Sequence, residues 1–227
     1  MSYDFIKVRV VGVTQPVLDF IPDSEGILSY AARVSSPQNQ GNFDTAAKLL
    51  KYCVEHKHYS VFETANITME VEAPRDIARQ LLRHRSFTFQ EFSQRYAEST
   101  DFITRECRLQ DHKNRQNSLD MDIDNDDEHN LTSHWWNSAQ ADVLDRVNEI
   151  YKEALEKGIA KEVARVILPE GLTMSKLYVN GTVRSWLHYC ELRDKKGESQ
   201  AEHVDLARKC KVEVVKHFPF LEEVMKK

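Results

Sequence analysis

Apolar residues recur along this chain with two spacings, one typical of strands and the other of helices. The stretch "FIKVRVVGV" alternates Ile6, Val8 and Val10 with lysine and arginine, and "NITMEVEA" repeats that alternation from residue 66. A period of two predicts a strand with one buried face. Both segments are therefore predicted strands, and "LTMSKLYVNG" is a third.

Apolar residues three and four apart predict helices elsewhere. The predicted helices cover residues 44–58, 75–87, 132–157, 182–195 and 201–218, with a short one in "EVARVILP". Pro74 suits the first turn of the second helix, and Gly158 ends the third. Strands and helices alternate without a repeat or a linker. The pattern predicts one α+β domain over residues 1–227, with a central mixed or antiparallel sheet flanked by helices.

Residues 109–130, "LQDHKNRQNSLDMDIDNDDEHN", interrupt this pattern with polar and acidic side chains. Such a composition buries little apolar surface, so a mobile surface insertion is predicted. A calcium loop is not supported, because the acidic run lacks the glycine at position six and the glutamate at position twelve.

Charge and cysteine content narrow the class of protein. The 227 residues carry a formal net charge of −5, which does not favour a polyanionic partner. The four cysteines are scattered, and "MSYDFIKVRV" at the start lacks the apolar core of a secretory signal. A soluble protein of a reducing compartment, the cytoplasm, is expected.

Phosphate binding, if present, must depend on side chains. The seven glycines form neither GxGxxG nor GxxxxGK[ST], so no glycine-rich phosphate loop is available. Arginine donates to phosphate bidentately and stays charged. Arginines cluster in "RHRSFTFQEFSQRY" (83–96) and again in the second half of the chain, at Arg165, Arg184 and Arg193. Arg184 and His188 are four apart and so share a helix face.

The arginine-containing segments resemble the conserved-sequence blocks of a known family. "RHRSFTFQEFSQRY" resembles the signature of the flavin-dependent thymidylate synthases, in which Arg-His-Arg is followed after seven residues by serine, here Ser93. "AARVSS", "HYSVFE", "RVILP", "RSWLHYCELR" and "SQAE" resemble the other sequence blocks of the family, in the same order. The resemblance covers the chain apart from the acidic segment.

The resemblance implies an enzyme that converts dUMP to dTMP. Members of the family take a methylene group from methylenetetrahydrofolate and a hydride from FAD reduced by NADPH. They are typically homotetramers with active sites between subunits. No nucleic acid, membrane or metal is implied.

The resemblance also assigns roles to individual residues. The implied FAD-binding residues are Ser60, Arg83, His84, Arg85, Glu91, Thr182, Arg184 and His188. The implied dUMP-binding residues are Gln80, Arg83, Glu91, Ser93, Gln94, Arg95, Arg165 and Arg193, with Arg165 supplied by a neighbouring subunit. Thr182 departs from the asparagine that is usual in the family, so its flavin contact is the least typical.

Arg193 is the predicted catalytic residue. A guanidinium cannot act as a base at ordinary pH, but it can stabilise an anion on the N3–O4 side of uracil. No histidine neighbours Ser93 in the sequence, and a serine without a base is a poor nucleophile. Cys190 is predicted to be a core thiol facing away from His188. A mechanism without a cysteine nucleophile is therefore expected.

Three other interpretations remain open at this point. A nucleic-acid-binding protein could stack bases on Phe87, Phe89, Phe92 and Tyr96. A homologue could bind flavin or nucleotide and lack catalysis. A metal could bind at His56 and His58, although the sequence offers few further ligands nearby.

Overall fold

The computed structural model describes residues 2–99 and 101–225. At its centre is a four-stranded sheet in which every neighbouring pair is antiparallel. In spatial order the strands are β1 (Lys7–Val13), β2 (Asn66–Pro74), β6 (Met174–Thr182) and β3 (Thr88–Glu91). A separate hairpin pairs β4 (Arg108–Gln110) with β5 (Ser118–Asp120). The predicted α+β class is confirmed, and the sheet is antiparallel rather than mixed.

Eight helices flank the sheet within the described residues. They are α1 (Ser24–Ala32), α2 (Ala46–Glu55), α3 (Arg75–Leu81), α4 (Asp127–Glu156), α5 (Lys161–Ala164), α6 (Val183–Arg193), α7 (Ala201–His217) and α8 (Leu221–Val224). Short 3₁₀ turns occur at Pro37–Asn39, Tyr59–Glu63 and Arg165–Ile167. No helix within the described residues combines the length and apolarity that crossing a membrane requires.

The period-two alternation places the core on one face of the sheet. Ile67, Met69 and Val71 of β2 are fully buried and belong to one apolar cluster with side chains of α6 and α7. Trp186 of α6 is also fully buried, and its indole Nε1–H donates to the carbonyl oxygen of Ile67 over 3.1 Å. The burial of this apolar surface holds α6 against the sheet.

The opposite face of the sheet is polar but partly covered. Glu70 of β2 accepts from Arg9 at 2.8 Å and from the hydroxyl of Tyr178 at 2.9 Å. These cross-strand partners reduce the exposure of Glu70 to 6%. The predicted polar face of β2 is therefore an ion-pair network and not simply solvated.

Two segments differ from the sequence prediction. The helix predicted for residues 75–87 ends at Leu81, and the following turn leads into edge strand β3. Arg83 and His84 therefore lie in this turn and not on the helix that carries Gln80. The predicted insertion at 109–130 holds most of the β4–β5 hairpin and the first turn of α4, which Asp126 caps. Most of its side chains are exposed, in agreement with the predicted surface position.

Candidate active site

The turn after α3 and the last turn of α6 bring His84 and Arg193 together. The Nε–H of Arg193 donates to Nε2 of His84 over 3.0 Å. Burial is the main cause that lowers the pKa of His84 to about 4, and the neighbouring charges of Arg193, His188 and Arg83 contribute to the same shift. A neutral imidazole with its proton on Nδ1 can accept at Nε2, so the two residues form a stable pair near neutral pH.

Arg193 has no carboxylate partner among the described residues. Arg184, by contrast, pairs with Glu63, and Arg95 Nε lies 3.3 Å from Glu162. Because His84 is neutral, the positive charge of Arg193 is not compensated by its partner. The guanidinium is oriented by His84 and remains available to a negatively charged ligand.

Close packing fixes the turn that carries His84. The ring of Phe87 lies 4.4 Å from that of Trp186 and sits directly over Gly181. A Cβ at Gly181 would lie 2.2 Å from Cδ1 of Phe87, so only glycine allows this approach. Phe87 is 5% exposed and cannot act as a platform for bases, which argues against the nucleic-acid interpretation.

A cleft of about 620 Å³ opens beside the first turns of α6. Thr182, Arg184 and His188 line it, and the last two share one helix face, as their spacing predicts. Its other lining residues are Lys57, Tyr59, Glu63, Ser86, Ser185, Leu187 and Glu191. Ser60 is exposed on the Tyr59–Glu63 turn that forms one wall. The cleft combines two cationic side chains with an aromatic ring, a suitable lining for a phosphorylated ring compound.

Thr182 has a structural role in this cleft. It is the N-cap of α6, and its Oγ1 accepts from the backbone N–H of Ser185 over 3.2 Å. Threonine and asparagine both satisfy free N–H groups at helix starts. The departure from the asparagine usual in the family therefore preserves the cap.

A second group of predicted residues lies around β3 and the loop after it. Glu91 accepts from Ser175 Oγ at 3.0 Å and lies 3.3 Å from Arg75. Gln94 is buried, and its Nε2 has no hydrogen-bond partner. The Ser93 hydroxyl accepts weakly from the backbone N–H of Arg95 at 3.4 Å, with no base beside it in the described structure.

Arg95 and Arg165 both contact Glu162. Arg95 pairs with the carboxylate of Glu162, and Arg165 Nε donates to the Glu162 carbonyl oxygen over 3.3 Å. The two arginines therefore lie near each other within one chain. The origin of Arg165 in a neighbouring subunit stays a prediction.

The two groups are separated along the sheet. Glu91 pairs in register with Leu177 of β6, whereas Thr182 ends that strand. At roughly 3.3 Å per residue, the five steps between them span about 16 Å. Arg83 and Arg85 belong to the turn before β3 and are exposed. One chain thus holds the cleft and the β3 group as separate clusters.

Sequence comparison identifies the family. A family model described as thymidylate synthase complementing protein matches residues 16–220. A probable flavin-dependent thymidylate synthase of Paramecium bursaria Chlorella virus 1 is 48% identical over 221 residues, covering 97% of this chain and 99% of the relative. A flavin-dependent thymidylate synthase of Synechocystis is 48% identical over 217 residues, covering 94% and 96%. The chain belongs to the flavin-dependent thymidylate synthase family.

A solved structure agrees with this family. The UMP/dUMP methylase PolB of Streptomyces cacaoi, bound with 5-Br UMP, superposes with a TM-score of 0.79. It is 25% identical, and the match covers all of this chain and 95% of the methylase chain. The resemblance inferred from the arginine motif is thus confirmed over nearly the whole chain.

The cysteines matter for a thymidylate synthase, because one route to a reactive C5 adds a thiolate to C6. Cys53, Cys190 and Cys210 are buried, and burial raises the pKa of each thiol. Cys190 contacts the carbonyl oxygen of Ala207 at 3.7 Å, as expected for a core thiol. Raised pKa values disfavour the nucleophilic thiolate. Cys107 is partly exposed.

The metal interpretation finds no support in the described part of the chain. No group of three histidine, cysteine or acidic side chains there is arranged to hold an ion. His56 instead stacks on Tyr52 at 3.9 Å and bonds its carbonyl oxygen.

Three residues near the site, His203, Tyr189 and Gln200, were not predicted from the sequence. His203 Nδ1 lies 3.0 Å from Gln80 Oε1, His203 Nε2 lies 3.1 Å from the Tyr189 hydroxyl, and Gln80 Nε2 donates to Gln200 Oε1 over 2.7 Å. His203 and Tyr189 are fully buried within apolar helix faces. In the sequence they look like core residues, and only the packing of α6 on α7 brings them to Gln80.

Proposed function

We propose that this chain catalyses the reductive methylation of dUMP to dTMP, with methylenetetrahydrofolate as carbon donor and FAD, reduced by NADPH, as hydride source. One observation carries the assignment. Arg193 ends the helix that lines the cleft, has no carboxylate partner among the described residues, and is held by the neutral imidazole of His84.

The cleft residues fit FAD. Arg184 and Lys57 supply charge for a diphosphate, and Tyr59 offers a ring face for stacking. Arg184 is paired with Glu63, so the carboxylate has to yield this guanidinium when a diphosphate binds. When bound, FAD supplies the hydride. His188 lies close enough to His84 to lower its pKa, which connects the cleft to Arg193.

The role of Arg193 follows from its charge and orientation. Carbon C5 of uracil becomes nucleophilic when negative charge develops toward N3 and O4. A fixed guanidinium in a partly buried position stabilises that charge in the transition state. C5 forms a bond to the methylene carbon and loses its proton. A hydride is then added to the methylene carbon as its bond to the folate nitrogen breaks, which completes the methyl group, and that nitrogen takes up a proton to give tetrahydrofolate.

The β3 group is proposed to bind the remainder of dUMP. Arg95 and Arg165 can donate to the phosphate, and Ser93 and Gln94 contribute neutral hydrogen-bonding groups beside them. The unpartnered Nε2 of buried Gln94 supports this role, because buried donors usually have an acceptor. The Ser93 hydroxyl, which accepts only weakly from the backbone N–H of Arg95, acts here as a hydrogen-bonding group and not as a nucleophile.

A homotetramer with shared sites is part of the proposal. It is supported by the separation of about 16 Å along β6 between the cleft and Glu91. It is also supported by large apolar side chains that are exposed in the single chain, such as Trp135 at 65% and Val166 at 77%. Sedimentation analysis of the purified protein tests it, and a stable monomer that makes dTMP would contradict shared sites.

The function is tested by product analysis. The protein is reconstituted with FAD, its visible flavin absorbance is recorded, and dUMP, methylenetetrahydrofolate and NADPH are supplied. We expect bound flavin and dTMP that depends on every component. Flavin binding without dTMP would support the alternative of a flavin-binding homologue that lacks catalysis.

A further inference from the structure

A directional chain of hydrogen bonds runs beneath the candidate site from α6 through α7 to α3. Tyr189 contacts His203, His203 contacts Gln80, and Gln80 contacts Gln200, at separations of 3.1, 3.0 and 2.7 Å. The chain ends where Gln200 Nε2 faces Asp76 Oδ2 at 3.5 Å, its longest link. Each internal member has both a donor and an acceptor, so the direction of the chain depends on its ends.

Asp76 determines which way the donors point along this chain of hydrogen bonds. Its other carboxylate oxygen accepts from Arg105 Nη1 at 3.1 Å, so Asp76 is a paired, ionised acceptor. An ionised carboxylate accepts only, and Gln200 must therefore turn its amide NH₂ toward Asp76. The oxygen of Gln200 then faces Gln80, which must turn its own NH₂ toward Gln200.

The same logic sets the tautomer of His203. Because Gln80 presents Oε1 to His203, Nδ1 of the imidazole must carry the proton. Nε2 is then the acceptor, and the Tyr189 hydroxyl donates to it. A neutral ring is required for this arrangement. Burial lowers the pKa of His203 to about 3, with smaller contributions from Arg193 and His84.

The arrangement leaves Gln80 with one free N–H. Its amide nitrogen has two hydrogens, and Gln200 accepts only one of them. Gln80 is partly exposed, whereas His203 behind it is fully buried. Tyr189, whose hydroxyl contacts His203, also packs edge-on against the His84 ring at a centroid distance of 5.0 Å. The same tyrosine therefore contacts both the His203–Gln80 hydrogen bonds and the His84–Arg193 pair.

We propose that His203 is a positioning residue that locks the Gln80 amide with an N–H directed at a hydrogen-bond acceptor of bound dUMP. This inference rests on the proposed function, because it takes dUMP as the ligand of Gln80. His203 itself does not touch the substrate. Together with Gln200, whose oxygen accepts from the other end of the amide, it disfavours the flipped amide, which would present an oxygen to the same acceptor and repel it.

Two substitutions at His203 distinguish the roles of its two ring nitrogens. His203→Asn places an amide N–H near the position of Nδ1 and so preserves the donor to Gln80. His203→Gln places its amide near Nε2 and preserves the partner of Tyr189, but removes the donor to Gln80. The dissociation constant of dUMP is measured by calorimetry on FAD-loaded protein, with flavin content and melting temperature as controls for folding.

We expect His203→Gln to weaken dUMP binding about 3- to 10-fold, the effect of one misdirected hydrogen bond. His203→Asn should stay within about twofold of the unsubstituted protein, since its donor is preserved. The decisive comparison is in a Gln80→Ala background, where His203→Gln should have no further effect on dUMP binding because the two residues act as one unit.

Three results would overturn the inference. One is equal weakening by both His203 substitutions. Another is the same weakening by His203→Gln with and without Gln80, which would assign His203 to packing alone. The third is unchanged dUMP affinity in Gln80→Ala, which would remove Gln80 from the site without affecting the proposed reaction. Failure of the unsubstituted protein to form dTMP would instead refute the proposed function.

A measurement on the unsubstituted protein keeps the test independent of variant folding. Neutron diffraction from deuterium-exchanged crystals locates the deuterium on the imidazole. We expect it on His203 Nδ1, with the Tyr189 hydroxyl directed at Nε2. Deuterium on Nε2 would reverse the chain and overturn the proposal.

Discussion

Arg193 and His84 form a cation–imidazole pair in which the guanidinium Nε–H donates to Nε2 of a neutral ring over 3.0 Å. A carboxylate in the place of His84 would orient the guanidinium equally well but would cancel its charge. The imidazole orients Arg193 and leaves its charge for the substrate. Substitution of Arg193 should therefore affect turnover, and titration of His84 should affect stability.

Arg193→Lys should lower kcat by about 10²–10³-fold, because lysine retains the charge but loses the planar donor array directed at the developing anion. Bound flavin should remain. Arg184→Lys is the matched control on the same helix: it lies in the cleft and should weaken FAD binding. A kcat for Arg193→Lys within about threefold of the unsubstituted protein would remove Arg193 from the mechanism.

The pH dependence of stability should report His84. Its folded-state pKa of about 4 lies below the ordinary value of 6.5, so the unfolded chain takes up this proton first as pH falls. The His84 contribution to folding stability is complete above pH 6.5, declines as pH falls from there to about 4, and is lost below that.

His84→Gln retains an acceptor near Nε2 that does not titrate. The melting temperature of the unsubstituted protein should therefore fall more steeply than that of His84→Gln over this pH range. His203 titrates lower, at about 3, and is present in both proteins, so it cancels in the comparison. Identical pH profiles would show that His84 is not held neutral.

Thr182→Asn tests the departure from the asparagine usual in the family. Asparagine caps helices at least as well as threonine, so the melting temperature should not fall. A flavin hydrogen bond made better by asparagine should tighten FAD binding by about 0.5–1.5 kcal/mol. Thr182→Val is the control, since it removes the cap and should cost about 1 kcal/mol of stability. Unchanged FAD affinity in Thr182→Asn would show that threonine already serves this pocket.

The segment at 109–130 should tolerate shortening only at the hairpin tip. Replacing residues 111–117 with Asn-Gly closes β4 on β5 with a favoured two-residue turn. Flavin content should be retained and the melting temperature little changed, because loop closure depends weakly on length.

Deleting residues 110–130 should be more damaging. It removes strand β5 and Asp126, which accepts from Glu128 and His129 at the start of α4. Loss of the cap alone should cost about 1 kcal/mol. Equal melting temperatures for the two deletions would show that neither the hairpin nor the cap stabilises the domain.

Sequence periodicity was sufficient for β1, β2 and β6 and for the long helices, because each buries a regular apolar face. It did not predict β3, whose four residues form a strand only through pairing with β6 at the sheet edge. The hairpin was also missed, since Leu109 and Leu119 give too little pattern in three-residue strands. Helix α1 was missed, although Asp23 caps it by accepting from Gly26 over 2.7 Å.

The candidate site was predictable where a local motif specifies it. Arg184 and His188 share the cleft because helical spacing requires it. The contact of Arg193 with His84 joins residues 109 positions apart and depends on Phe87 packing over Gly181. His203 was not predicted at all, because its partners come from two other helices.

Formation of dTMP without a cysteine nucleophile can be measured in a variant that contains no cysteine. Cys53, Cys190 and Cys210 are changed to alanine and Cys107 to serine, and the variant is reconstituted with FAD. Some loss of stability is expected from the buried positions. With dUMP, methylenetetrahydrofolate and NADPH, we expect this variant to form dTMP. A variant that is folded and flavin-loaded but forms no dTMP would contradict a mechanism without a cysteine nucleophile and would indicate a thiolate adduct at C6.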